Sequence, residues 1–134
     1  MINQRTAPYA ALLLRLTLGT LFIIHLYWKF TVKGFEPWVA GLHEAGYSNL
    51  VVGYVLSAEV AGALLLIPGL YTRWVSLFAL PLMAGAAQFW LVRKGFYFTV
   101  AGAEFPMLWG IGLIVQALLG DGALALGQSR RRRG

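Results

Sequence analysis

Cysteine is absent from the 134 residues, and several chemistries go with it. A dithiol relay, a structural disulfide, a cysteine-ligated iron–sulfur centre and a thiolate zinc site all require sulfur. Charge is scarce as well. Only 12% of the residues are charged, against about one quarter in soluble domains, too few to cover a water-soluble surface. Histidine occurs twice, as His25 and His43, too far apart on different segments to form a metal motif, so neither metal nor haem is expected. No glycine-rich phosphate loop follows a strand, because no strand pattern is present. Ser48, Ser57, Ser76 and Ser129 lack a local histidine–acid arrangement, which sets the serine hydrolases aside.

What fills the chain is hydrocarbon. Hydrophobic residues make up 59% of it, and the mean hydropathy is +0.69. The length allows one domain, and the hydropathy makes it an integral membrane domain spanning 1–134. The net charge is +6, but Arg130, Arg131, Arg132 and Arg133 supply four of the positive charges in one run. The body is close to neutral, and nucleic acid is not an expected partner. The basic tail, 128–134, reads either as an anchor to anionic headgroups or as an incidental basic end.

Four apolar stretches, at about 8–30, 50–67, 73–92 and 100–119, match the roughly 20 helical residues that cross a hydrocarbon core. Pro68 and Gly69 part the second from the third, Arg93, Lys94 and Gly95 part the third from the fourth, and Gly120, Asp121 and Gly122 end the last. Between the first two, Phe35, Trp38, Val39 and Leu42 follow a helical i, i+3, i+4, i+7 pattern, with Pro37 suited to a first turn. The expected fold is therefore an all-α transmembrane four-helix bundle with a short interfacial helix between spans one and two. Four spans put both termini on one side with Arg5, Arg73 and the terminal arginines. The positive-inside tendency then favours cytoplasmic termini. The tryptophans mostly fall near span ends, where indole prefers to sit.

Charged groups inside the spans are the informative residues. Arg15, Leu18, Phe22, His25 and Lys29 follow steps of three and four, and at about 100° per residue they form one stripe. Lipid is an expensive neighbour for such groups, so the stripe turns inward. Two carboxylates answer it: Glu59 in span two and Glu104 early in span four. Depth along the spans suggests an outer cluster of His25, Lys29, Gln88 and Glu104, and a structural ion pair of Arg15 with Glu59. A histidine beside a carboxylate exchanges protons near neutral pH. His25, Glu104 and Lys29 are thus the candidate catalytic groups. Phe22, His25, Trp28, Gln88 and Phe89 are the candidate positions around a quinone ring. Charges that merely fix the register of the bundle account for the same residues.

The motifs, in order, resemble those of the DoxX family of small four-helix membrane proteins. Span one has Leu14, Arg15, Leu16 and Gly19, then His25-Leu26-Tyr27-Trp28-Lys29-Phe30, similar to the family's His-Gly-x-x-Lys signature with Leu26 in place of glycine. Glu59, Gly62, the Leu64–Leu70 run with Gly69, Thr72 and Arg73, then Glu104 and the exit Gly120-Asp121-Gly122, continue the likeness. The resemblance implies a bacterial or archaeal cell membrane and an association with quinone and membrane redox complexes, related members being small subunits of thiosulfate:quinone oxidoreductase. It implies partner subunits carrying the redox centre, because the chain has none evident of its own. A non-catalytic structural or assembly subunit fits the resemblance equally.

Overall fold

The computed structural model describes residues 1–127; the arginine tail, 128–134, lies outside the described residues. The described chain is all-α. Helix α1 (Ala7–Tyr27) opens with Pro8 in its first turn, where a missing N–H is harmless. It continues through a π-helical turn, Trp28–Val32. Helix α2 (Phe35–Glu44) is the amphipathic segment, half-buried at Trp38, Val39 and Leu42. Helix α3 (Asn49–Ala61) runs into a second π-helical turn, Gly62–Leu66, before Pro68 ends it. Helices α4 (Thr72–Lys94) and α5 (Glu104–Leu119) form an antiparallel pair.

Three of these segments are long and apolar enough to cross a membrane: Ala7–Val32, Asn49–Leu66 and Thr72–Lys94. Helix α5 is apolar but has 16 residues, a rise of about 24 Å. It begins at Glu104, later than the expected start near Val100. The residues before it fold into a compact loop instead. A 3₁₀ turn, Phe98–Val100, is followed by Ala101 in a left-handed conformation. The N–H groups of Ala103 and Glu104 then donate to the carbonyls of Gly95 and Phe96, each at 2.9 Å. Those bonds satisfy backbone groups that an apolar surrounding would leave costly.

The N–H of Ala123 donates to the Pro8 carbonyl at 2.9 Å, which places the start of α1 and the exit of α5 at the same end of the bundle. Helix α2 and the 95–103 loop cap the other end. Leu18, Phe22, Ala58, Leu66, Val75, Ala79, Met83, Trp109 and Leu113 form the core. Leu13, Ile24, Leu64, Trp74, Leu108 and Leu118 are exposed, as expected where the solvent is lipid. Without a hydrophobic force between helices, close approach must supply the cohesion. Gly62 provides it, since a Cβ there would overlap the Phe22 ring; Gly19 does the same against Ile67, at 2.7 Å.

Pro81 lies within α4, which continues past it to Lys94. Proline has no N–H and crowds the preceding turn. Here Tyr54 of α3 inserts its hydroxyl, donating to the Phe78 carbonyl at 2.6 Å and accepting from the Leu82 N–H at 3.1 Å. The break in α4 is thus tied to α3.

Candidate functional site

The stripe on α1 does face the interior: Arg15, Leu18, Phe22 and Lys29 are buried and His25 is half-buried. Its partners differ from those expected. Lys29 Nζ donates to Glu59 Oε1 in a buried ion pair. The same ammonium lies 5.1 Å from the ring centre of Trp38, so α2 covers the pair, through a cation–π contact, from the end of the bundle opposite the start of α1. The other carboxylate oxygen, Glu59 Oε2, is buried and has no hydrogen-bond partner among the described residues. The expected Arg15–Glu59 pair is not formed. Arg15 sits about 21 Å of helix axis below Lys29, and the flexible arm of Lys29 reaches inward to Glu59 first.

Arg15 has a different task. Its Nε donates to the Asp121 carbonyl at 3.0 Å, and Nη1 to Leu66 at 2.9 Å and Ile67 at 2.6 Å. Nη2 donates to Ala123 at 2.8 Å and Leu124 at 3.4 Å. A guanidinium offers five N–H donors in a planar fork, and all are used on carbonyls at the end of α3 and in the segment after α5. Arg15 is a fully buried clasp that satisfies carbonyls left open at a helix end and joins them to the segment after α5. Gln116 works alongside it: Nε2 donates to Ala11 at 3.2 Å and Gly120 at 3.0 Å.

His25 turns toward α5. Its Nδ1 lies 2.9 Å from the Leu21 carbonyl. A carbonyl only accepts, so the contact requires a proton on Nδ1 and leaves the Nε2 lone pair open in the neutral ring. The imidazole meets Trp109 edge-on at 4.7 Å and Phe105 in a stacked contact at 6.3 Å. Phe22 packs on Trp109 at 4.9 Å. Trp109 is 4% exposed, unlike the span-end tryptophans, and its indole N–H is buried without a partner among the described residues. Its spacing from Phe105, i to i+4 on one helix face, was the signal available in the sequence. His25 is also within electrostatic range of Glu59.

The expected outer cluster is therefore divided. Among the described residues no hydrogen bond or ion pair joins His25 to Glu104. Glu104 Oε2 instead accepts from the Phe98 N–H at 2.8 Å and shapes the loop before α5. Trp28 and Gln88 are exposed. Phe89 packs with Tyr47 at 6.1 Å and Trp90 at 5.1 Å, under the Arg93 guanidinium at 3.8 Å, so it does not wall His25. His43 lies on α2, within 2.7 Å of Asn49 Oδ1. Among the described residues no three metal-ligating acids or histidines gather.

What remains together is an imidazole with an open nitrogen, an indole donor, the two phenyl rings of Phe22 and Phe105, and a buried ion pair behind them. The set contains no activated nucleophile. Apart from the ion pair, its unused hydrogen-bonding groups among the described residues are one acceptor, His25 Nε2, and one donor, the Trp109 N–H. A family model described as DoxX matches residues 10–94, which reaches from α1 to the end of α4. No curated protein and no solved structure matches the chain.

Proposed function

Because the chain belongs to the DoxX family, we propose that it is a quinone-interacting small subunit of a membrane oxidoreductase, with α5 as the fourth span and both termini cytoplasmic. The observation that carries the reading is the setting of His25: a tautomer held by the Leu21 carbonyl, half-buried between the rings of α5. The fit can be judged on chemistry. A quinone ring needs apolar walls and polar groups at its oxygens. Phe22, Phe105 and Trp109 supply rings, the Trp109 N–H supplies a donor, and His25 Nε2 accepts a proton from a quinol hydroxyl. A bound quinone would supply the two-electron chemistry that these side chains lack. The protein's part is to hold and orient the ring, exclude water, and keep a proton-exchanging imidazole at its edge. Lys29 and Glu59 act from behind, fixing the local field around His25. The electrons released as the quinol gives up that proton pass to a redox centre in a partner subunit.

The test uses the full chain, extracted into nanodiscs with its native lipids. The wild type is expected to carry quinone on organic extraction, and His25→Ala to lose it while keeping its helical circular dichroism. A wild-type protein with no quinone, or a His25→Ala protein that retains it, overturns the reading. A second reading, a non-catalytic assembly subunit, is favoured by the way Arg15 spends all its donors inside the chain. It predicts that Arg15→Leu abolishes co-purification of partners while no variant alters quinone content.

A further inference from the structure

At the end of the bundle that carries both chain ends lies a cavity of ≈ 310 Å³, lined by Gln4, Pro8, Arg73, Leu119 and Asp121 among others. Two of its walls bear opposite charges that do not meet. Arg73 donates Nε to the Ala117 carbonyl at 2.8 Å, and its terminal nitrogens have no hydrogen-bond partner among the described residues. Asp121 makes no ion pair with it, since the ion pair among those residues is Lys29–Glu59. Arg15 acts on Asp121 through space, but its N–H groups are all committed to carbonyls. The cavity sits where α1 begins and α5 ends, with Ala7, Pro8 and Leu119 as apolar rim. That is the level at which lipid headgroups meet a bundle of this length.

We propose that this cavity seats the phosphoethanolamine headgroup of a bilayer lipid. The phosphate lies on the free terminal N–H groups of Arg73, whose planar fork matches phosphate oxygens. The primary ammonium lies on the Asp121 carboxylate. The selectivity follows from the pair of charges. A phosphoglycerol headgroup brings the phosphate but no cation of its own to the carboxylate. A phosphocholine headgroup brings the cation but no N–H to donate. Arg5 and the arginines of 130–133 attract any anionic headgroup, an attraction that does not discriminate and that salt screens.

The experiment reconstitutes the full chain in nanodiscs of equal phosphatidylethanolamine, phosphatidylglycerol and phosphatidylcholine, then strips loosely held lipid and identifies what stays by mass spectrometry. Two interfacial ion pairs of modest strength give an expected enrichment of phosphatidylethanolamine of about fivefold over the bulk ratio. Arg73→Gln is expected to abolish it. Asp121→Asn is expected to shift the retained lipid toward phosphatidylglycerol. Retention at the bulk ratio, or preference for phosphatidylglycerol in the wild type, overturns the proposal. So does enrichment that survives Arg73→Gln, a substitution at an exposed position. Soluble phosphoethanolamine added in excess should displace the lipid; displacement by inorganic phosphate alone to the same extent means a plain phosphate site and also overturns it. A chain ending at Gly127 keeps the selectivity if the cavity is the seat, and loses it if the tail is.

Discussion

A lysine and a glutamate buried at 6% and 3% exposure are tolerable only together, because either ion alone would face low dielectric without a partner. Replacing Lys29 by Met or Glu59 by Met is expected to destabilise the protein by about 3 to 5 kcal/mol each. The double replacement Lys29→Met with Glu59→Met should recover most of that loss. Thermal unfolding in detergent measures the cycle; additive losses would mean that the two groups do not depend on each other. Arg15 poses a different case, since its partners are carbonyls rather than a charge. Arg15→Lys keeps the charge but offers three donors in place of five, so at least two of the five carbonyls lose their donor, at about 1 to 3 kcal/mol in all. Hydrogen exchange should then rise across Asp121–Gly127, and rescue by Lys to wild-type protection would refute the clasp. The stripe that holds both residues was legible in the sequence, because helical period puts 15, 18, 22, 25 and 29 on one face. Their partners were not. Pairing depends on the depth and rotation of three helices and on the reach of each arm, none of which a period encodes.

Helix α3 shows how one element can be read in part. Its apolar run and its stop at Pro68 and Gly69 are plain in the residues, whereas the π-helical turn Gly62–Leu66 leaves no mark on hydropathy. The start of α5 was hidden for a similar reason: Val100 and its neighbours are apolar enough for a span, but Ala101 turns left-handed and the loop closes on its own backbone. Two glycines, Gly53 in α3 and Gly62 in the π-helical turn that continues it, separate packing from intrinsic propensity. A methyl at Gly62 would overlap the Phe22 ring, while nothing lies within 4 Å of one at Gly53. Gly62→Ala is expected to cost about 1 to 3 kcal/mol by forcing α1 and α3 apart, and Gly53→Ala to stabilise by up to about 1 kcal/mol. Equal effects in thermal unfolding would show that the α1–α3 contact is looser than described. Tyr54 and Pro81 couple α3 to α4 in the same way. Tyr54→Phe should cost about 1 kcal/mol by stranding the Leu82 N–H and the Phe78 carbonyl, and less in a Pro81→Ala background, where the helix can close its own ladder.

At the scale of the whole molecule, the bundle is closed at one end by chain that is not helix-spanning at all. After Gly120 the backbone turns back across the helix ends. Ala123 donates to Pro8, Leu126 to Pro68 and Gly127 to Gly69, at 2.9 to 3.0 Å. Arg15 binds three carbonyls of the same segment. Gly69 and Gly122 both have positive φ there, and a Cβ on Gly69 would come within 2.6 Å of Arg15 Nη1. The strap and the buried guanidinium therefore need each other: without 121–127 the cation keeps two acceptors and loses three. A chain ending at Gly120 is expected to insert poorly and to unfold well below the full protein, while a chain ending at Gly127 keeps every one of these bonds and should match it. Removing the charge as well, with Arg15→Met in the chain ending at Gly120, should restore part of the lost stability. The three proteins can be compared by yield in the membrane fraction and by thermal unfolding. If the chain ending at Gly120 is as stable as the one ending at Gly127, the segment is a passenger and Arg15 is satisfied by α3 alone.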